Sequence, residues 1–354
     1  MHLKQINIIK ICAKIFKNGV LDNGIKKKKD ISKSEEVLKN KEIEKIERKE
    51  FAKYGYVIGM SVIIYVATQL ILSYTLPLFI NPVHNLLGGA ISLTNIQMIV
   101  NIIIFIVSLT LPALFVKVYS TKNERSKLGF KSNLKLVLMA VPFVIIVQFG
   151  VGILLEKLGL NYDIVDKLDI YDNSSVLSNI LFFVYLAILP AIFEEFYIRN
   201  TVLNISRKYG DKFAIIASSL LFSILHLNIS QSLFSFIMGI ILAIVTLRSN
   251  SIIPAAIIHF LNNGYAAITT IFENNNLVLN IVNISYIVLF IIGFVLCGVS
   301  FVKNRNNIKK WIGNIKECKV NKNCKYIALD YTFVIAVILM LVLLVLTQKT
   351  LTLL

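Results

Sequence analysis

From residue 56 onward the chain is a succession of long, unbroken apolar runs. They fall at about 56–80, 95–119, 134–155, 176–198, 212–228, 231–247, 251–272, 278–302 and 331–348. None alternates apolar and polar positions with the period of two that a barrel strand requires. Each is at or near the roughly 20 residues that carry an α-helix across a bilayer. The pattern predicts an all-α, polytopic transmembrane bundle of about eight or nine spans. The runs around residues 220 and 240 are short and leave little room for tilt.

Ahead of these runs the pattern is different. Residues 21–53 are dense in Lys and Glu (GIKKKKDISKSEEVLKNKEIEKIERKEF) and read as a solvated helix or a disordered segment. The first twenty residues scatter Lys4, Lys10, Lys14 and Lys17 among apolar positions, with no small-residue cleavage site. They suit either an amphipathic helix lying on a membrane or an irregular tail. The chain therefore divides into a basic segment 1–53, three leading spans within 54–155, a central core 175–272, and C-terminal spans in 273–354 that enclose a basic loop, 303–325.

Composition closes off the soluble classes. Hydrophobic residues make up 56% and charged residues 16%, and the mean hydropathy is +0.73. A soluble domain cannot hide so much apolar surface. The net charge of +17 is then a topology signal before it is anything else. Residues 117–135, 206–212 and 303–325 are basic and 248–250 carries one Arg, whereas 81–90, 226–232 and 272–276 have no Lys or Arg and 156–175 is net acidic. The sign alternates at every crossing, which places the N-terminus in the cytosol and predicts a multi-pass protein of the cell membrane. The basic arm 1–53 is suited to anionic lipid headgroups; nucleic acid is not expected. Cys12, Cys297, Cys318 and Cys324 are scattered, and no histidine lies beside Cys318 and Cys324, so neither a disulfide nor a structural zinc site is expected there.

Ionisable groups inside the apolar runs are few: Glu194, Glu195, Arg199, His226 and His259. Such groups are functional candidates by default. Glu195 and Arg199 are spaced i,i+4 and share a helix face, while Glu194 points about 100° away. Glu194 lies sixteen residues before Gly210 and His226 sixteen after it. In an antiparallel hairpin turning at Gly210 the two reach the same depth. His259 and Asn263 repeat the i,i+4 spacing on a later helix. Polar groups from three helices thus converge. Three plainer readings stay open at this point: a structural Glu195–Arg199 pair, single histidines acting as interhelical hydrogen-bonders, and a proton relay in a transporter. The chain lacks the inverted repeats and paired broken helices of a transporter.

The three spacings Glu194-Glu195-(x3)-Arg199, Phe222-(x3)-His226 and His259-(x3)-Asn263 match the signatures EExxxR, FxxxH and HxxxN. Over about 175–270 the chain resembles the CPBP family of CAAX proteases and bacteriocin-processing enzymes, whose eukaryotic members include the type II CAAX prenyl endopeptidase. The resemblance implies an intramembrane endopeptidase with a core in 175–272. Glu194 would be the general base that activates a water. His226 would hold or polarise that water. His259 and Asn263 would stabilise the oxyanion or join in metal binding, Glu195 and Arg199 would position Glu194, and Phe222 would pack a turn before His226. Peptide hydrolysis needs just such an activated water and a donor for the developing oxyanion. The family is commonly called metalloprotease, so Glu194, His226 and His259 are the ligands if Zn2+ is bound. The spacing is not that of an HExxH zinc helix, and Asn is a poor zinc ligand, so a glutamate protease with no obligatory metal is equally consistent. The implied partner is a membrane-proximal peptide or protein. High Ile, Lys and Asn content points to an AT-rich bacterial genome, and so to a bacterial peptide precursor or membrane-protein segment rather than a prenylated protein. A non-catalytic role in bacteriocin immunity is the alternative within the family, and a transporter the alternative outside it.

Overall fold

The computed structural model describes residues 25–120, 128–129, 131–159, 171, 175–303, 325–328 and 330–353. The N-terminal amphipathic segment, most of the basic loop 303–325, and Cys12, Cys318 and Cys324 lie outside them. Among the described residues the chain is helical, and its one extended pairing is an isolated bridge between Gly129 and Ser251. The helices are α1 (Ile25–Thr75), α2 (Ile80–Leu86), α3 (Leu93–Tyr119), α4 (Leu134–Lys157), α5 (Val176–Tyr209), α6 (Asp211–Ile224), α7 (Ile229–Ser249), α8 (Ile253–Ile271), α9 (Asn276–Lys303), α10 (Lys325–Ala328) and α11 (Tyr331–Leu353).

Short polar side chains start these helices. Ser92, Asn133, Ser175 and Asn228 each accept a hydrogen bond from the backbone N–H three residues on, satisfying a donor the helix leaves unpaired. Pro254 occupies the first turn of α8, where its missing N–H costs nothing. Gly210, at φ 105°, makes the tight turn between α5 and α6, a backbone conformation that glycine adopts without strain.

The chain separates into two units, Met1–Glu50 and Phe51–Leu354. In the first, residues 25–50 form the charged part of α1. The second is the polytopic helical bundle that the apolar runs predict. Six helical segments among the described residues are long and apolar enough to cross a membrane. Three of the nine runs fall short. Helix α6 has 14 residues, about 21 Å at 1.5 Å per residue. Helix α8 has 19 residues but is interrupted by His259, Asn262 and Asn263. The described apolar stretch of α11 is Tyr331–Leu346. Helix α6 is short because the chain turns at Leu225–Asn228, whereas in α8 the polar groups of the site dilute the span signal. Helix α9 is the opposite case: Ile281, Ile284, Ile287 and Ile291 are all exposed, as a lipid-facing helix requires.

Helix α5 packs on α3, α6 and α8. One apolar cluster joins Tyr197, Ile198 and Val202 of α5 to Val57, Ile58 and Val62 of α1 and Phe222 of α6. A second links Phe182 and Ala187 to Met98 of α3 and Ala267 of α8. A third, from Val144 of α4, Met238 and Leu242 of α7 and Ile258 of α8, packs the other side of α8. Hydroxyl bonds pin α5 further: Ser61 Oγ to Tyr197 OH at 2.8 Å, Tyr54 OH to Ser206 Oγ at 2.5 Å, and Ser178 Oγ donating to Asn95 Oδ1 at 2.7 Å.

Candidate active site

The middle of α5 is not an ordinary α-helix. Segments Val184–Ile188, Pro190–Glu194 and Phe196–Leu203 are wound as π-helix, with the Leu189 N–H bonded to Val184 O, five residues back. Such widened turns are rare and gather at functional sites. More residues per turn means less rotation between neighbours. The 100° separation expected for Glu194 and Glu195 is therefore reduced, and both carboxylates meet the same imidazole. His259 Nδ1 lies 2.9 Å from Glu195 Oε1, and His259 Nε2 lies 3.8 Å from Glu194 Oε2.

Glu195 also faces Arg199. The two side chains are 1% and 0% exposed, with Arg199 Nε 3.2 Å from Glu195 Oε2. The guanidinium carbon sits 4.5 Å from the centre of the Phe222 ring, a cation–π arrangement that replaces part of the lost hydration. Glu195 thus bridges Arg199 and His259 and is more than a local ion pair. An ionised carboxylate can only accept, so the His259 Nδ1–H donates to it; in the neutral ring this leaves the lone pair on Nε2.

Asn263 stands one turn after His259 on α8. Its Nδ2 donates to Leu186 O at 3.1 Å and lies 3.3 Å from His259 Nε2. Its Oδ1 accepts from Asn262 Nδ2 at 3.1 Å.

His226 comes from a turn rather than a span. Helix α6 ends at Ile224, and the short turn Leu225–Asn228 leads into α7. Leu227 in that turn has φ 51°, unusual for a branched residue. Paired hydroxyl bonds hold the turn, Ser223 Oγ to Ser232 O at 2.6 Å and Ser232 Oγ to Ser223 O at 2.9 Å. The His226 Nδ1–H donates to Phe222 O at 2.8 Å, which leaves Nε2 as an acceptor. The rings of His226 and His259 both meet Phe222 edge-on, at 5.0 and 5.7 Å.

Glu194, His226, His259 and Asn263 line one cavity of 190 Å³, enough for several waters or a short stretch of substrate backbone. Phe222 borders it as well; Glu195 and Arg199 lie behind His259 and do not line it. Tyr185, Gln231, Ser235 and Asn262 complete the polar wall. Sequence spacing did not single these four out. Asn262 adjoins Asn263 in HFLNN, which was the available signal; the others are marked only by packing. The Glu194 side chain is 16% exposed, and its buried Oε2 has no hydrogen-bond partner among the described residues.

Zinc was one of the two alternatives for this site. Among the described residues no three His, Cys, Asp or Glu side chains converge as a metal-binding group. The His259 Nε2 lone pair faces the Asn263 amide. The donors as arranged do not fit a zinc centre.

Residues 176–265 match the family model of the type II CAAX prenyl endopeptidase, Rce1-like. No curated protein and no solved structure matches the chain. The matched stretch runs from the start of α5 to Tyr265 in α8 and contains every motif residue just described. Over residues 176–265, the stretch that holds the site, the chain is therefore similar to the CAAX prenyl endopeptidase family.

Proposed function

We propose that this protein is an intramembrane endopeptidase in which Glu194 activates water for attack on a peptide bond. The observation that carries this reading is the Glu194 carboxylate, its side chain 16% exposed, lining a polar cavity inside an otherwise apolar bundle. A carboxylate in such surroundings is costly, and a water bound in the cavity can hydrogen-bond it. His226 Nε2 accepts a hydrogen bond from that water and aims it. Glu194 takes the water proton as the oxygen attacks the carbonyl carbon. The Asn263 Nδ2–H exchanges its long 3.3 Å contact with His259 for the developing oxyanion. Collapse breaks the C–N bond, and Glu194 returns the proton to the leaving amine. Glu195 holds His259 in one tautomer throughout, and Arg199 holds Glu195.

The substrate class follows from where the cavity lies. A cavity of this size takes extended backbone and small side chains, and the apolar helices around it favour a membrane-associated peptide or protein segment. A bacterial peptide precursor suits the composition of the chain. The basic segments 117–135, 206–212 and 303–325 favour a cytosolic N-terminus, and the Lys-rich arm favours contact with anionic lipid. The test is cleavage of peptides with apolar C-terminal ends by the purified full chain in liposomes. Cleavage that disappears with Glu194→Gln supports the reading; a wild-type protein inert towards the whole library counts against it, and protection of cells from a bacteriocin by the inert protein would favour the immunity role.

A further inference from the structure

Pro190 lies in the interior of α5, four residues after Leu186. In a regular α-helix the N–H of residue 190 would bond Leu186 O. Proline has no N–H, and its ring pushes against the carbonyl four residues back. The Leu186 carbonyl therefore has no i+4 donor, and in the widened winding of this stretch the next backbone N–H is that of Ala191, five residues on. It accepts from Asn263 Nδ2, 77 residues away on α8, at 3.1 Å. That bond fixes which way Asn263 faces. Turned over, its Oδ1 would meet Leu186 O, acceptor against acceptor. From the other side Asn262 Nδ2 donates to Asn263 Oδ1 at 3.1 Å, which agrees with that orientation. The outcome is an amide with one N–H on Leu186 O and the other towards His259.

We propose that Pro190 is a positioning residue: by freeing the Leu186 carbonyl it holds the Asn263 amide as a hydrogen-bond donor in the site. The catalytic consequence rests on the hydrolytic reading above; the bond itself does not. Pro190→Ala restores an N–H that competes for Leu186 O and lets the helix close towards ordinary α winding.

Two readouts test it on the full chain in detergent. The first is a double-mutant cycle on the thermal unfolding midpoint with Pro190→Ala, Asn263→Ala and the pair. Asn263→Ala is expected to lower the midpoint in the wild-type background and to matter distinctly less in the Pro190→Ala background. The second is cleavage. Pro190→Ala is expected to lower kcat about ten- to a hundredfold, the scale for a misplaced group, with KM little changed and the midpoint unchanged or raised. A merely structural proline would lower the midpoint without that split. Additive midpoints overturn the inference, and so does a wild-type kcat in Pro190→Ala. If wild type cleaves nothing, the hydrolytic reading falls, and the midpoint cycle still decides whether Pro190 orients Asn263.

Discussion

Glu194 and Glu195 are adjacent in the chain but sit in different surroundings. Glu195 is sealed between Arg199 and His259, while Glu194 is 16% exposed and lines the cavity. Their substitutions should therefore fail differently. Glu194→Gln keeps shape and burial and is expected to lower kcat at least about a hundredfold, the scale of a lost general base, with an unchanged unfolding midpoint by circular dichroism. Arg199→Ala strands the Glu195 charge and exposes one face of Phe222. Removing one partner of a buried pair costs about 3–5 kcal/mol, so this variant is expected to show a large drop in the same midpoint as well as lost activity. These identities were legible from spacing alone, because ionisable side chains inside apolar runs are conspicuous. Asn262 and Tyr185 were not: an amide beside another amide, and a tyrosine in an aromatic-rich run, acquire meaning only once α5 and α8 are packed.

At the scale of elements, the hairpin around Gly210 was readable and its ending was not. The apolar run continues to about residue 228, yet α6 stops at Ile224 because Asn228 caps the next helix and the Ser223–Ser232 bonds fold the chain back. The widened winding of α5 was equally hidden, since sequence periodicity assumes 3.6 residues per turn. Pro190 carries no signal by itself; its consequence depends on Asn263 from another helix. Helices α6 and α7 approach closely at Gly239, where an added Cβ would lie 3.1 Å from Ser219 Cα and 3.3 Å from the Phe222 ring. Small residues at such crossings let backbones approach. Gly239→Ala is expected to push Phe222 towards the two histidines, lowering the unfolding midpoint and reducing kcat about tenfold, by the rule that roughly 1.4 kcal/mol of barrier is one decade in rate.

For the whole molecule, the distribution of charge and the distribution of apolar surface agree. The exposed aliphatic face of α9 suits lipid, the polar groups of α5, α8 and the turn after α6 line one cavity, and the basic segments fall on alternate connections. Two surface positions check the topology. In a chain lacking its native cysteines, Asp211→Cys at the basic turn should react with a membrane-impermeant thiol reagent only in opened cells. Leu86→Cys, in the connection without Lys or Arg, should react in intact ones. The class of fold was plain in the sequence because continuous apolar runs admit no other spanning structure. The number of crossings was not, because α6 is cut short by the turn that carries His226 and α8 gives up apolar positions to His259, Asn262 and Asn263.

The most direct test of the central claim is cleavage of an apolar-ended peptide library by purified wild type, Glu194→Gln and His226→Ala, each with and without a chelator. Cleavage by wild type that survives chelation and is lost in both variants is the expected result. Cleavage by Glu194→Gln at the wild-type rate, or a wild-type activity abolished by the chelator and restored by zinc, would contradict a glutamate-activated water.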